Sequence, residues 1–253
     1  MGRLAAIVLF VIVLAAVVLA LQAPASWLAH RLSLATNDAV QVIDTRGTVW
    51  NGEGTLASAD RRFTLPLAWR LSAGALMRGN VELELKPQAG RATPRGTLIY
   101  GRGNLEAREF VLDLPASALE SGFRAGAPLA IGGELKLEAR ELVLAGAASR
   151  GRLDVAWTRA RLAATDGTTV DLGEIRGVFE PRGGALVGRL ENRGGDVALS
   201  GTATLPLAGG DTTLEATLAP REGAPASTLR ALSALGAPSA DGSVRLQWRS
   251  APR

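Results

Sequence analysis

The sequence predicts a mainly β chain: one N-terminal transmembrane helix, then an antiparallel β-sheet domain arranged as two tandem related lobes with a few short helices. Three observations lead there. An uncharged apolar run opens the chain, period-two alternation of apolar and polar residues recurs through the remainder, and glycine or proline punctuates the alternating runs. With 253 residues the chain is long enough for one large β domain or two lobes with a real core.

The first element is Leu4–Leu21, eighteen residues without a charge, a polar side chain, glycine or proline. As a helix it rises roughly 27 Å, close to the hydrocarbon thickness of about 30 Å. Arg3 and the free amine precede it, and the next basic residues are His30 and Arg31. The positive-inside bias therefore predicts residues 1–3 in the cytoplasm, 4–21 across the membrane and the bulk of the chain in the periplasm. Residues 22–38 form the exit segment, with Arg3 and Trp27 flanking the span and Trp27 acting as an interfacial aromatic. A cleaved signal peptide is the competing reading, because Ala23-Pro24-Ala25 has a small-x-small pattern. The length of the apolar run and the proline after Ala23 favour a retained anchor. His30, the only imidazole, suits a headgroup contact beside Arg31 better than a proton shuttle.

Strands follow. Val40, Val42, Thr48 and Trp50, then Leu65, Leu67, Trp69 and Leu71, recur at every second position. Asn51-Gly52-Glu53-Gly54 between the two runs predicts a tight hairpin, since glycine supplies the positive φ such turns need. Alternation returns in Val81–Leu85, Leu135–Glu138, Leu153–Trp157 and Val244–Trp248, with charges at many alternate positions, so one sheet face is wet and the other packed. Two short helices are expected at Ala116–Gly122 and Ala226–Leu235, each with proline near its first turn and glycine near its end. Each is followed by a Gly-Ala-Pro phrase, Gly126-Ala127-Pro128 before Gly133 and Gly236-Ala237-Pro238 before Gly242. That recurrence, at a spacing of about 110 residues, predicts a first lobe over 39–145 and a second over 146–253.

Composition excludes much chemistry. No cysteine and one histidine leave no disulfide framework, thiolate zinc site, cysteine nucleophile or multi-histidine metal site. No Ser-x-x-Lys or Gly-x-Ser-x-Gly pattern prepares a serine nucleophile. Glu82 and Glu84 share a strand face, which suits a solvated surface better than paired acid/base work. No Gly-x-Gly-x-x-Gly leads from a strand into a helix. The pI near 10.5 raises nucleic acid as a partner. The arginines nevertheless alternate with acids instead of forming blocks, and aromatics amount to 4% of residues, so no nucleic-acid partner and no cofactor are expected.

The tryptophans carry the most specific pattern. Trp50 stands in Gly47-Thr48-Val49-Trp50-Asn51-Gly52, and Trp69 in Leu67-Ala68-Trp69-Arg70-Leu71. Both rings suit a sheet core better than ligand stacking. Further fragments follow in order: Leu114-Pro115, Gly132-Gly133-Glu134-Leu135, Gly151-Arg152-Leu153 through Trp157, Leu172-Gly173, Gly194-Gly195-Asp196, Leu218-Ala219-Pro220-Arg221, Leu235-Gly236 and Asp241-Gly242. The whole resembles the protein N family of the type II (general) secretion pathway over roughly residues 20 to 250. A single arginine ahead of the anchor is sparser charge than that pattern carries.

The resemblance implies a non-enzymatic accessory inner-membrane subunit of the machine that exports folded proteins from the periplasm across the outer membrane. Its partners would be other inner-membrane subunits of that machine, met through sheet edges or apolar faces. Gly47, Trp50, Gly52, Trp69, Gly132, Gly133, Trp157, Gly194, Gly195, Gly236 and Gly242 would be its structural motif residues. The alternative is a periplasmic lipid-handling protein resembling the AsmA group, with an open apolar β groove and a lipid ligand. Whether the apolar sheet face is closed or open separates the two.

Overall fold

A computed structural model describes residues 22–35, 40–58, 63–88, 94–118, 129–164 and 168–249. Arg3 and the Leu4–Leu21 run lie outside the described residues, and among the described residues no helix is long and apolar enough to cross a membrane. The chain divides into two compact units, Met1–Ala92 and Thr93–Arg253.

The first unit begins with α1 (Ala25–Ala35), followed by β1 (Val40–Gly47), β2 (Asn51–Ser58), β3 (Thr64–Leu71), the one-turn α2 (Ala73–Met77) and β4 (Val81–Lys86). Its strands pair antiparallel with their sequence neighbours, β1 with β2, β2 with β3 and β3 with β4. A hairpin forms, but it joins Val40–Gly47 to Asn51–Ser58 and not to the Leu65–Leu71 run, and its turn precedes the expected Asn51–Gly54. Thr48–Trp50 make it, and Asn51–Gly54 run inside β2. Gly52 and Gly54 are there for space: a Cβ on Gly52 would lie 2.5 Å from Trp69 Cζ2, and one on Gly54 2.8 Å from Val42 Cγ1. Ser72 caps α2, its hydroxyl accepting from the Ala75 N–H at 3.3 Å.

The second unit is an antiparallel meander. Its strands are β5 (Arg95–Gly101), β6 (Asn104–Pro115), β7 (Leu129–Leu144), the short β8 (Arg150–Gly151), β9 (Leu153–Ala164), β10 (Thr169–Arg182), β11 (Ala185–Arg193), β12 (Val197–Pro206), β13 (Thr213–Pro220) and β14 (Val244–Arg249). The order from β5 follows the chain, except that β9 lies beside β7 and β8 pairs off the path with β7. The expected helix at Ala226–Leu235 is α3 with those bounds, entered from Pro225 and left at Gly236. Of the one expected after Leu114-Pro115, residues 116–118 form a 3-10 turn and the rest lies outside the described residues. Residues 145 and 146, where the sequence divides the expected lobes, fall within this unit. The β7–β9 ladder spans that point from Leu129↔Ala164 to Glu138↔Asp154.

Alternation sorts the faces of this sheet as expected. Along β10, Ile175, Gly177 and Phe179 are buried while Arg176, Val178 and Glu180 are exposed. The buried face gathers into two clusters. One joins Leu172, Ile175, Val197, Leu218 and Val244 to Ala231 and Leu232 of α3, which packs on β10, β13 and β14. Burying each such leucine contributes about 1.5–3 kcal/mol relative to exposure. The other centres on Leu142, Phe179, Leu186 and Ala203.

The strands bend where one residue drops out of register. Glu109 in β6 and Arg159 in β9 have φ of 46° and 50°, and a glycine of the neighbouring strand, Gly96 or Gly133, lies against each. These are bulges paired with glycines, which locally twist the sheet.

Candidate docking surfaces

In the first unit the motif residues meet at one corner. Gly47 turns the chain with φ 83°, and the Thr48 N–H donates to the Asn51 carbonyl at 3.0 Å. Trp69 arrives from β3, is 3% exposed, and donates its Nε1–H to the Val49 carbonyl at 3.0 Å. Gly47, Gly52 and Trp69 are thus brought together, whereas Trp50 is half-buried and contributes its carbonyl to the Leu71 N–H at 2.7 Å. The entry to the domain is stitched to the same corner: the Val49 N–H donates to the Ala23 carbonyl at 2.9 Å, and Pro24 bridges to Thr48. Each net backbone bond of this kind contributes about 1 kcal/mol.

In the second unit Gly132, Gly133 and Trp157 also meet. The Trp157 Nε1–H donates to the Gly132 carbonyl at 2.9 Å, across the β7–β9 ladder. Gly194 and Gly195 carry the β11–β12 connection past Asp171, close enough that a Cβ on Gly195 would lie 2.6 Å from the Asp171 carbonyl oxygen. Gly236 closes α3 against Val244, and the Gly242 N–H donates to the Ser239 carbonyl in the turn before β14.

Two residues of this region escaped sequence reasoning. Asn192 donates its amide to the Leu172 and Val197 carbonyls at 2.7 and 2.8 Å and accepts from the Leu199 N–H at 2.7 Å. Thr228, fully buried at the start of α3, donates to Asp196 Oδ2 at 3.1 Å. The available signal for Thr228 was its spacing, which puts it on the face of α3 that carries Ala231, Leu232 and Leu235. All of these contacts build the fold.

The solvent face is a lattice of charge. Neighbouring charges two apart along the chain pair repeatedly, as in Lys136–Glu138, Arg152–Asp154, Arg176–Glu174 and Arg182–Glu180. Exposed pairs like these contribute little to stability. The Asp154 hydrogen bond and charge push the Arg152 guanidinium further above its ordinary range, and hydrogen bonds from Ser243 hold the Asp241 carboxyl below the usual carboxylate value. Both groups are fully exposed side chains of surface pairs. On this face a shallow trough of about 370 Å³ runs over β11–β14, lined by Arg189, Glu191, Ser200, Thr202, Glu215 and Arg245 among others. Among the described residues no group of three or more His, Cys, Asp or Glu side chains is placed to hold a metal ion.

Both units also expose apolar side chains or a strand edge. In the first unit Trp27 and Leu34 of α1, and Leu76, Met77 and Val81 around α2, are large apolar side chains in solvent. In the second, β14 ends the strand order, with Pro238 bridging its first residue, Val244.

Comparison with known proteins gives one positive result: the family model described as type II secretion system (T2SS), protein N matches residues 38–247. No curated protein and no solved structure matches the chain.

Proposed function

The chain belongs to the type II secretion system protein N family, and from that premise we propose that it is a non-enzymatic inner-membrane subunit that docks other subunits of the secretion machine through its β domain. The observation that carries this reading is the family match, which spans both units. In this reading Leu4–Leu21 anchors the chain, residues 1–3 stay in the cytoplasm, and the β domain works in the periplasm. The short connection from Leu21 to the corner at Thr48–Val49 supports it. A domain pinned there stays near the membrane, and tethering raises its effective concentration beside inner-membrane partners. Gln22, Ala23 and Pro24 leave no long linker between the apolar run and α1.

Topology is directly testable because the chain has no cysteine. Met77 is 92% exposed, so Met77→Cys supplies a single reactive thiol without disturbing a core. In spheroplasts the expected result is labelling by a membrane-impermeant maleimide before lysis. Labelling only after lysis would place the domain on the cytoplasmic side and overturn the reading.

A second reading, periplasmic lipid handling, is favoured by one feature of the second unit. No described helical residue belongs to the cluster around Phe179, and Leu153, Leu190, Leu205 and Leu214 beside it are only half-buried. An apolar face covered on one side only is the kind of surface that accepts acyl chains.

A further inference from the structure

Helix α1 carries a stripe of mixed aromatic, basic and apolar side chains on the outside. Trp27, His30, Arg31 and Leu34 fall at i, i+3, i+4 and i+7, the spacing that gathers side chains on one face of a helix. Here Trp27 is 54% and Leu34 58% exposed, and His30 and Arg31 are exposed between them. The opposite side is the packed one: Ala25, two residues and therefore about 200° from Trp27, is 2% exposed, and the helix lies against β1.

The chemistry of the stripe selects its partner. The Arg31 guanidinium sits 5.0 Å from the centroid of the Trp27 ring, a stacked cation beside an amphipathic indole. That pairing suits a layer that is apolar beneath and phosphate-rich above, with the ring at headgroup level and the guanidinium reaching phosphate oxygens. Charge agrees, because the first acidic residue of the chain is Asp38, so nothing in α1 or before it repels an anionic surface. Position agrees as well. The apolar run ends at Leu21, four residues before α1 begins, and the segment between is held at Thr48 and Val49.

We propose that α1 lies along the membrane surface with Trp27, His30, Arg31 and Leu34 against anionic phospholipid headgroups, as a foot that sets the orientation of the first unit. The inference rests on the inner-membrane reading above. It adds a second, in-plane contact that sets how the first unit faces the membrane, since amphipathic segments with a basic face bind anionic lipid in the plane of the interface.

The test uses the full-length chain in vesicles of phosphatidylcholine and phosphatidylglycerol, with an environment-sensitive fluorophore on Leu34→Cys and, for comparison, on Met77→Cys of α2. Both positions are exposed, so neither label disturbs the core. The expected result is blue-shifted emission at position 34 and quenching of about two-fold or more by lipids brominated near the headgroup, as for an interfacial helix. Arg31→Glu should weaken that quenching, and position 77 should be quenched less than position 34. A label at 34 that aqueous iodide reaches as readily as the label at 77, without lipid quenching, overturns the proposal. So does a label at 34 shielded from iodide yet untouched by brominated lipid, which would mean that protein covers the stripe. In either case a chain that resists carbonate extraction leaves the anchor reading standing, whereas a chain stripped from the vesicles by carbonate brings down both.

Discussion

Gly133→Ala should destabilise the second unit by at least about 3 kcal/mol, while Gly132→Ala, one residue earlier, should change its stability by less than about 1 kcal/mol. The contrast follows from geometry. Gly133 has φ of 106°, a region closed to residues with a Cβ, and a Cβ there would lie 2.5 Å from the Arg159 carbonyl oxygen, closer still to that of Thr158 and 2.8 Å from Trp157 Nε1. Two of those neighbours are backbone of the paired strand and cannot step aside. The substitution must therefore break the bulge at Arg159 or displace Trp157 from the Gly132 carbonyl. A Cβ on Gly132 would meet only Arg161 Cβ, at 3.6 Å, which is ordinary contact. Chemical denaturation of the full chain in detergent, followed by hydrogen exchange over β7 and β9, separates the two variants. Similar stabilities for both would remove the bulge from the account.

The first unit has its own sensitive point. Trp69→Ala should cost about 3–5 kcal/mol by emptying the site that Gly52 leaves open. Trp69→Phe should cost less, about 1–2 kcal/mol, by filling most of that volume while leaving the Val49 carbonyl without the indole donor. The loss should register first at the β1–β2 corner and at the Ala23–Val49 bond, because Val49 joins all three. Faster amide exchange at Val49 than at β4 in Trp69→Phe is the expected signature, and uniform exchange across the unit would contradict it.

The strands were legible because alternation is a direct consequence of a half-buried sheet, and α3 was legible because Pro225 and Gly236 mark both its ends. The turn between β1 and β2 was misplaced for a physical reason. Glycine has two uses, positive φ and absence of volume, and Gly52 and Gly54 serve the second, which only the position of Trp69 and Val42 reveals. The left-handed residues Glu109 and Arg159 were not singled out, since each lies against a glycine of the neighbouring strand, Gly96 or Gly133, and only the register brings them together. Gly132, Gly133 and Trp157 were singled out as separate fragments, and it took the β7–β9 register to bring the indole to a carbonyl 25 positions away. Asn192 was missed because its shortest bonds go to backbone groups brought to it by β10 and β12. The outward stripe of α1 was half visible. Trp27 was read as an interfacial residue, but that Leu34 shares its face and its exposure depends on how α1 packs on β1.

In the function proposed above, this β domain docks secretion subunits rather than carrying lipid. The most direct measurement is affinity purification of the full-length chain from its native envelope in mild detergent, with mass spectrometry of co-purifying proteins and quantification of extracted lipid. The account expects inner-membrane subunits of the type II machine in near-stoichiometric amounts, with lipid no higher than for an unrelated single-span control. Equimolar phospholipid retained with no secretion subunit would contradict it and move attention to the half-buried apolar face around Phe179.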